Sequence, residues 1–305
     1  MASNRKKILI TGAAGLIGRE FCNQLSLEND VTAVDNNQRF KDYIPANCLY
    51  IQSNLVEYLE QTSNTFDIIY HMAATNGTKY FYSQPNDVLR NNVTLDLAIF
   101  KFAESNPNCK LIYASSSEVV AGTSQFPTPE ITNITINNIH NPRWSYMLPK
   151  VLAENYLFNS SIDFLVIRFF NVFSEHSGTG HFVKDIVEKI RNNNFELIGS
   201  DETRSFCYVS DAVDAVIRIS HASRRVVNVG SDEELSILDA ANTIATAIGH
   251  KSITWKTKPG LPGSAKNRQP DITELKRLFP AFSPRSFKDI IKDEFGTLEQ
   301  RNQHR

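Results

Sequence analysis

The feature that most restricts what this chain can become is the stretch Thr11-Gly12-Ala13-Ala14-Gly15-Leu16-Ile17-Gly18. The sequence holds only 13 glycines in 305 residues, so three of them inside one octapeptide require a local backbone reason. Upstream, Lys7-Ile8-Leu9-Ile10 is a short apolar run that reads as a strand buried on both faces. Downstream, Leu16, Ile17, Phe21 and Leu25 recur at helical spacing. A strand, a glycine turn and a helix in that order make a phosphate-binding turn. One glycine permits the tight turn, one admits backbone N–H groups to a pyrophosphate, and one lets helix and strand pack closely. The helix N-terminus adds partial positive charge for an anion. The next strand, Val31-Thr32-Ala33-Val34-Asp35, ends in a carboxylate. There it accepts hydrogen bonds from adenosine ribose hydroxyls and repels a 2′-phosphate, which favours NAD over NADP. Asn36 and Asn37 supply no cation for such a phosphate, although Arg39 is close by.

Further strand-like runs occur at 48–51, 66–70, 110–114 and 164–167, with long helical patterns over 87–104 and 144–158. Buried strands alternating with helices imply an α/β fold, a Rossmann-type doubly wound parallel sheet covered on both faces. After about Phe170 the rhythm turns irregular, with short strands at 195–198, 205–209 and 226–229 and helices near 211–220 and 237–248. This predicts a smaller, interleaved C-terminal α+β substrate lobe over the carboxyl edge of the sheet, where open α/β folds bind ligands. The expected division is a cofactor domain over 1–170, rejoined by 205–229, and a substrate lobe from 171–204 and 230–305. The last residues, Glu299–Arg305, read as a frayed tail. The helices over 87–104 and 144–158 are apolar on more than one face. Val88, Leu89, Val93, Leu97 and Phe100 line one side of the first, and Met147, Leu148, Val151, Leu152, Tyr156 and Leu157 mark the second. A helix that only covers a sheet keeps a clean polar face, so a homodimer through these two helices is expected.

Composition removes other classes. Lys plus Arg total 32 against 33 Asp plus Glu, which is not the basic excess of a nucleic-acid binder. No apolar run approaches the roughly 18 residues of a membrane span, and the N-terminus carries no signal-peptide pattern. Cys22, Cys48, Cys109 and Cys207 lie far apart without paired spacing, which fits a reducing cytoplasm. The histidines form no metal-like cluster, and no metal is expected.

Tyr146-Met147-Leu148-Pro149-Lys150 sets a phenol and an amine four residues apart on one helix face. Alone such a pair means little. Here it comes after Ser115-Ser116-Ser117 at a strand end, in a chain with a dinucleotide turn. At this point the sequence resembles the extended short-chain dehydrogenase/reductase family, specifically its nucleotide-sugar epimerases, dehydratases and decarboxylases. The likeness runs from about Lys6 to Leu298. Its landmarks are the glycine turn, Asp35, His71-Met72-Ala73-Ala74, Ser115–Glu118, Tyr146 with Lys150, Arg168-Phe169-Phe170-Asn171-Val172, Arg204–Val209 and Arg268-Gln269-Pro270-Asp271.

The resemblance implies NAD held by Gly12, Ala14, Gly15, Leu16, Ile17, Gly18, Asp35, Asn36, Asn54, Leu55, Met72, Ala73, Ala74, Asn91, Tyr146 and Lys150. Asn54 stands where the family has Asp on the adenine amine, and a cap role is the alternative. The resemblance implies a nucleotide-diphosphate sugar contacted by Thr78, Asn171, Arg204, Arg268 and Asp271. An ion pair is the alternative for Arg204 and a helix cap for Asp271. Free tyrosine titrates near ~10, too high for a base at neutral pH. The Lys150 ammonium favours the phenolate, so Tyr146 takes a sugar hydroxyl proton while Ser116 holds the same oxygen. In the family the oxidised position is sugar C4.

Residues after Ser116 decide the second step of the reaction. Dehydratases of the family carry Thr-Asp-Glu, and this chain has Ser116-Ser117-Glu118 without the Asp. Ser117 and Glu118 resemble the UDP-glucuronate decarboxylases, as does Asn141-Pro142-Arg143-Trp144, with Arg204 as a candidate ligand for the uronate carboxylate. A 4-epimerase needs only Tyr, Lys, Ser and room for the keto sugar to rotate. On the sequence alone C4 epimerisation ranks first and decarboxylation second. Dehydrogenation or reduction at C4 ranks third, and dehydration or a non-catalytic NAD sensor ranks last. Two departures stand out. Pro149 forces the helix to start near Arg143–Ser145 or to bend, and Val120 replaces a common tyrosine. The loop 76–82 is expected to lie over the sugar.

Overall fold

The computed structural model of the chain describes residues 5–38, 43–178, 180–250 and 252–296; Arg39 and the tail Glu299–Arg305 lie outside them. In chain order the first half runs β1 (Lys7–Thr11), α1 (Leu16–Leu25), β2 (Asp30–Asp35), β3 (Leu49–Gln52), α2 (Leu55–Gln61), β4 (Ile68–His71), α3 (Thr78–Ser83) and α4 (Pro85–Glu104). It continues through β5 (Lys110–Ser116), a 3₁₀ turn at Ser117–Val120, α5 (Trp144–Phe158) and β6 (Asp163–Phe169). The second half runs β7 (Val172–Phe173), α6 (Phe182–Arg191), β8 (Glu196–Ile198), β9 (Thr203–Ser205), β10 (Cys207–Tyr208), α7 (Val209–Ile219) and β11 (Arg225–Val229). It ends with β12 (Glu234–Ser236), α8 (Ile237–Ala247), β13 (Lys256–Lys258), α9 (Thr273–Leu278) and α10 (Phe287–Ile290).

Seven strands form one sheet in the order β11-β6-β5-β4-β1-β2-β3. β1 pairs parallel with β2 and β4, and β4 pairs parallel with β5. The central strands are buried along their length while the edge strand β3 is not, as expected of a parallel sheet covered on both faces. Parallel pairing brings Thr11 beside His71, and His71 beside Tyr113, in one row across three neighbouring strands, at the carboxyl ends of β1 and β4 and the middle of β5.

Backbone proximity divides the chain into two compact units. The first is Met1–Val119, Pro142–Arg168 and Val213–Val227; the second is Val120–Asn141, Phe169–Ala212 and Asn228–Arg305. This differs from the sequence division, which kept 120–141 and 205–212 with the cofactor domain. Beyond Val120, the last residue of the 3₁₀ turn, the segment 120–141 carries no helix or ladder strand. It is stitched to the second unit by a parallel bridge between Thr128 and Pro270, with Thr128 N–H donating to Gln269 O and Asp271 N–H to Thr128 O, each at 2.8 Å. Within the second unit Phe173, Phe206 and Phe287 pack ring on ring, with centroids 4.9–6.2 Å apart. No helix among the described residues is long and apolar enough to cross a membrane.

Candidate active site

The cofactor turn is built as its glycines predict. Gly12 adopts φ +67°, and a Cβ there would stand 2.6 Å from the Ala73 amide nitrogen, so the turn lies directly against the backbone after β4. A Cβ on Gly18 would collide with the Gly12 carbonyl oxygen, which explains the third glycine. Gly15 is the N-cap of α1, and Leu16, Ile17 and Gly18 occupy the first turn, where backbone N–H groups lack intrahelical acceptors. Asp35 ends β2 and accepts from Ala14 N–H at 3.0 Å and Asn37 N–H at 2.7 Å. Two N–H bonds leave lone pairs on both oxygens for a diol. Asn36 is exposed beside it. Met72 N–H donates to Thr11 O and Ala73 N–H to Thr11 Oγ1, with Ala74 next in the same turn. A glycine cradle, open helix N–H groups and an unsaturated carboxylate together fit an adenine dinucleotide.

Asn54 caps α2, its side chain accepting from Val56 N–H at 2.9 Å, with Leu55 buried behind it, so the cap reading is formed. Asn91 is exposed, and the residue that α4 brings to the turn after β4 is Asn92. Asn92 is buried and bonds both the N–H and the C=O of Thr75.

Tyr146 and Lys150 lie on one face of α5, with the Lys150 ammonium 6.0 Å from the Tyr146 ring centroid. The helix starts at Trp144, within the expected range, and keeps Pro149 inside it. Lys150 is 1% exposed, and burial pushes its pKa down while Asp96 and Glu154 push it up. Residues 78–82 of the expected loop 76–82 belong instead to the short helix α3, which opens with Thr78. From it Phe81 stacks on Tyr146 with centroids 4.9 Å apart and planes 15° apart, which fixes the plane of the phenol.

Ser116 ends β5, and its Oγ accepts from Glu118 N–H at 3.2 Å. Ser117 and Glu118 are buried in the 3₁₀ turn. Glu118 takes a bidentate grip from Arg143, Nη2 at 2.6 Å and Nε at 2.9 Å. Arg143 is itself buried, and Glu118 together with a hydrogen bond to Tyr82 holds its pKa above that of a free guanidinium against the desolvation that lowers it.

In the second unit Asn171 holds φ +41°, a left-handed conformation unusual for a side-chain-bearing residue, and its Nδ2 donates to Ser205 O at 3.0 Å. Arg204 is buried and ion-paired with Glu202 at 2.6 Å, with Ser264 at 2.9 Å from the same nitrogen. Its alternative reading, an ion pair, is therefore formed, though buried rather than at the surface. Asp271 accepts from Thr273 N–H just before α9, whose N-cap position is Ile272, and Arg268 is buried with its carbonyl accepting from Ser205 N–H.

Two residues of this site, Asp96 and Tyr113, escaped sequence reasoning, while Arg143 and Phe81 lay in stretches that it singled out without giving either side chain a role. A usable signal existed for Asp96. Val88, Asn92, Asp96 and Phe100 repeat every four residues on the buried stripe of α4, and a carboxylate there needs a buried partner.

Residues 8–230 match the NAD dependent epimerase/dehydratase family. The chain is similar to the UDP-N-acetyl-alpha-D-glucosaminuronate decarboxylase of Bacillus cytotoxicus, 28% identical over 90% of this chain and 92% of that one. It is also similar to UDP-glucuronic acid decarboxylase 1 of Danio rerio, 29% identical over 90% of this chain and 68% of that one. Among solved structures, the UDP-N-acetylglucosamine 4-epimerase of Methanobrevibacter ruminantium M1 matches with a TM-score of 0.83 over 98% of this chain and 99% of that one. At 24% identity that likeness speaks for the fold alone. With the glycine turn, Asp35, Ser116, Tyr146 and Lys150 in place, the chain is an enzyme of the NAD dependent epimerase/dehydratase family, and NAD is its cofactor.

Proposed function

We propose that the enzyme oxidises C4 of a nucleotide-linked uronic acid and decarboxylates the ketone so formed. The observation that carries this is the buried Glu118–Arg143 pair. Two stretches of the sequence resemble decarboxylases, one holding Glu118 and the other Arg143, and they meet in a single bidentate contact. A 4-epimerase has no need of it. This reverses the order read from sequence alone, and the similarity to two decarboxylases supports the reversal.

Bound NAD supplies the acceptor, and later the donor, of the C4 hydride. Tyr146, as phenolate, takes the C4 hydroxyl proton, and the Lys150 ammonium favours that phenolate. Ser116 donates to the oxygen as it becomes a carbonyl. The C6 carboxylate is then β to a ketone, so the C5–C6 bond breaks, carbon dioxide leaves, and its electron pair moves onto the C4 oxygen. Tyr146, now a phenol, and Ser116 hold that oxygen. Glu118, kept as a carboxylate by Arg143, accepts from the water whose proton closes C5, and solvent replaces that proton. Tyr146 returns its proton to the C4 oxygen when the ketone is reduced. Arg204, ion-paired with Glu202, stays the candidate ligand for the uronate carboxylate.

The test is incubation of the NAD-loaded enzyme with UDP-glucuronate, read by mass and NMR. Loss of carbon dioxide supports the proposal; an unchanged mass with inverted C4 overturns it in favour of epimerisation. Tyr146→Phe should lower turnover by about 10²–10⁴-fold while NAD stays bound.

We also infer self-association through α4 and α5. Leu89 and Leu97 of α4 and Leu152 of α5 are exposed, and Leu89, Val93 and Leu97 form a stripe at four-residue steps.

A further inference from the structure

A buried lysine needs a counter-charge, and the groups around Lys150 identify which one serves. Tyr113 and Ser115 come from β5, His71 from β4, Asp96 from α4, and Tyr146 and Glu154 from α5 itself. Glu154 is spent elsewhere: Arg168 grips it at 2.6 and 2.9 Å, and Ser115 donates to it as well. His71 is neutral, because full burial lowers its pKa more than Asp96 raises it. Tyr113 stays protonated, since burial and Asp96 raise its pKa well above that of a free phenol. Asp96, 1% exposed, is therefore the carboxylate whose charge no guanidinium among the described residues cancels.

Its reach to Lys150 is a string of hydrogen bonds. Lys150 Nζ donates to Tyr113 OH at 2.9 Å, and Tyr113 OH donates to Asp96 Oδ2 at 2.8 Å. His71 Nε2 lies 3.2 Å from Asp96 Oδ1, and His71 Nδ1 lies 2.8 Å from Thr11 Oγ1. A carboxylate only accepts, so the single proton of neutral His71 sits on Nε2 and Thr11 donates to Nδ1. Every proton in the string then points toward Asp96. Because the Tyr113 proton is committed to Asp96, its oxygen can only accept from Lys150.

We infer that Asp96 and Tyr113 are positioning residues for Lys150, Asp96 as its counter-ion and Tyr113 as the hydroxyl that carries that charge to it. The inference rests on Tyr146 and Lys150 being the oxidising pair, as proposed above.

The test labels lysine at the ε-carbon with ¹³C in the NAD-loaded enzyme and tracks the Lys150 resonance, assigned by its loss in Lys150→Met, as pH is raised. Asp96→Asn removes the counter-ion, so Lys150 should give up its proton about tenfold more readily, a titration about one pH unit lower. The alkaline limb of kcat should fall with it, because the ammonium that favours the Tyr146 phenolate is lost at lower pH, while KM changes little. Tyr113→Phe should move both readings the same way. That variant deletes one oxygen from a ring still packed on Phe100, so it carries the test if Asp96→Asn does not fold. A Lys150 titration unmoved in the folded variants, with only thermal stability lowered, would overturn the inference. Tyr146→Phe separates the two claims. Undiminished turnover in it sinks the oxidising pair, whereas the Lys150 titration reads the counter-ion whether or not turnover survives.

Discussion

Glu118 sits where a free carboxylate would be costly, and its stability is borrowed from one guanidinium. Both members of the pair are under a tenth exposed, so removing one leaves the other charged and stranded. Arg143→Ala should therefore destabilise the fold by about 3–5 kcal/mol, seen as a lower urea midpoint with an unchanged slope. Glu118→Gln combined with Arg143→Met should recover much of that loss while decarboxylation stays absent. Stability in the single variant equal to that of the parent would mean that water reaches the pair. Phe81 belongs to the same scale: it holds no proton and no charge, yet by stacking on Tyr146 it limits the planes the phenol can adopt.

At the level of elements, α2 offers a direct separation of two roles for Asn54. Its side chain caps the helix, so Asn54→Ala should cost about 1 kcal/mol and Asn54→Ser should cost little, since Ser also caps. If NAD affinity falls in both variants, measured by calorimetry, the amide touches the adenine as well; if it holds in Asn54→Ser, the cap is the whole role. The strands and the long helices were legible in the sequence, because period and turn chemistry are local properties. So were the glycine turn and the Tyr146–Lys150 spacing. The features that stayed hidden depend on which strands become neighbours. Tyr113 looks like an ordinary β-strand aromatic until parallel register seats it beside His71, and Arg143 looks like a helix-start residue until its partner 25 positions earlier is known. Helix α3 was missed for another reason: six residues give too little periodicity to be seen.

For the whole molecule, the exposed leucines of α4 and α5 bear on assembly. Leu97→Glu with Leu152→Glu places two charges on that face, each nearly half exposed in the single chain and so tolerated there. Light scattering should show a parent of twice the chain mass and a variant of one chain mass; a monomeric parent would end the dimer proposal. The two units matter in another respect. The polypeptide passes from one to the other five times, at Val119, Asn141, Arg168, Ala212 and Val227. Truncation after Phe170 would strip α7 and β11 from the first unit, leaving β6 as a raw sheet border, and would discard most of the second. No single cut in the gene yields a free-standing dinucleotide module, and any minimal fragment has to be made by circular permutation or by co-expressing pieces rather than by shortening.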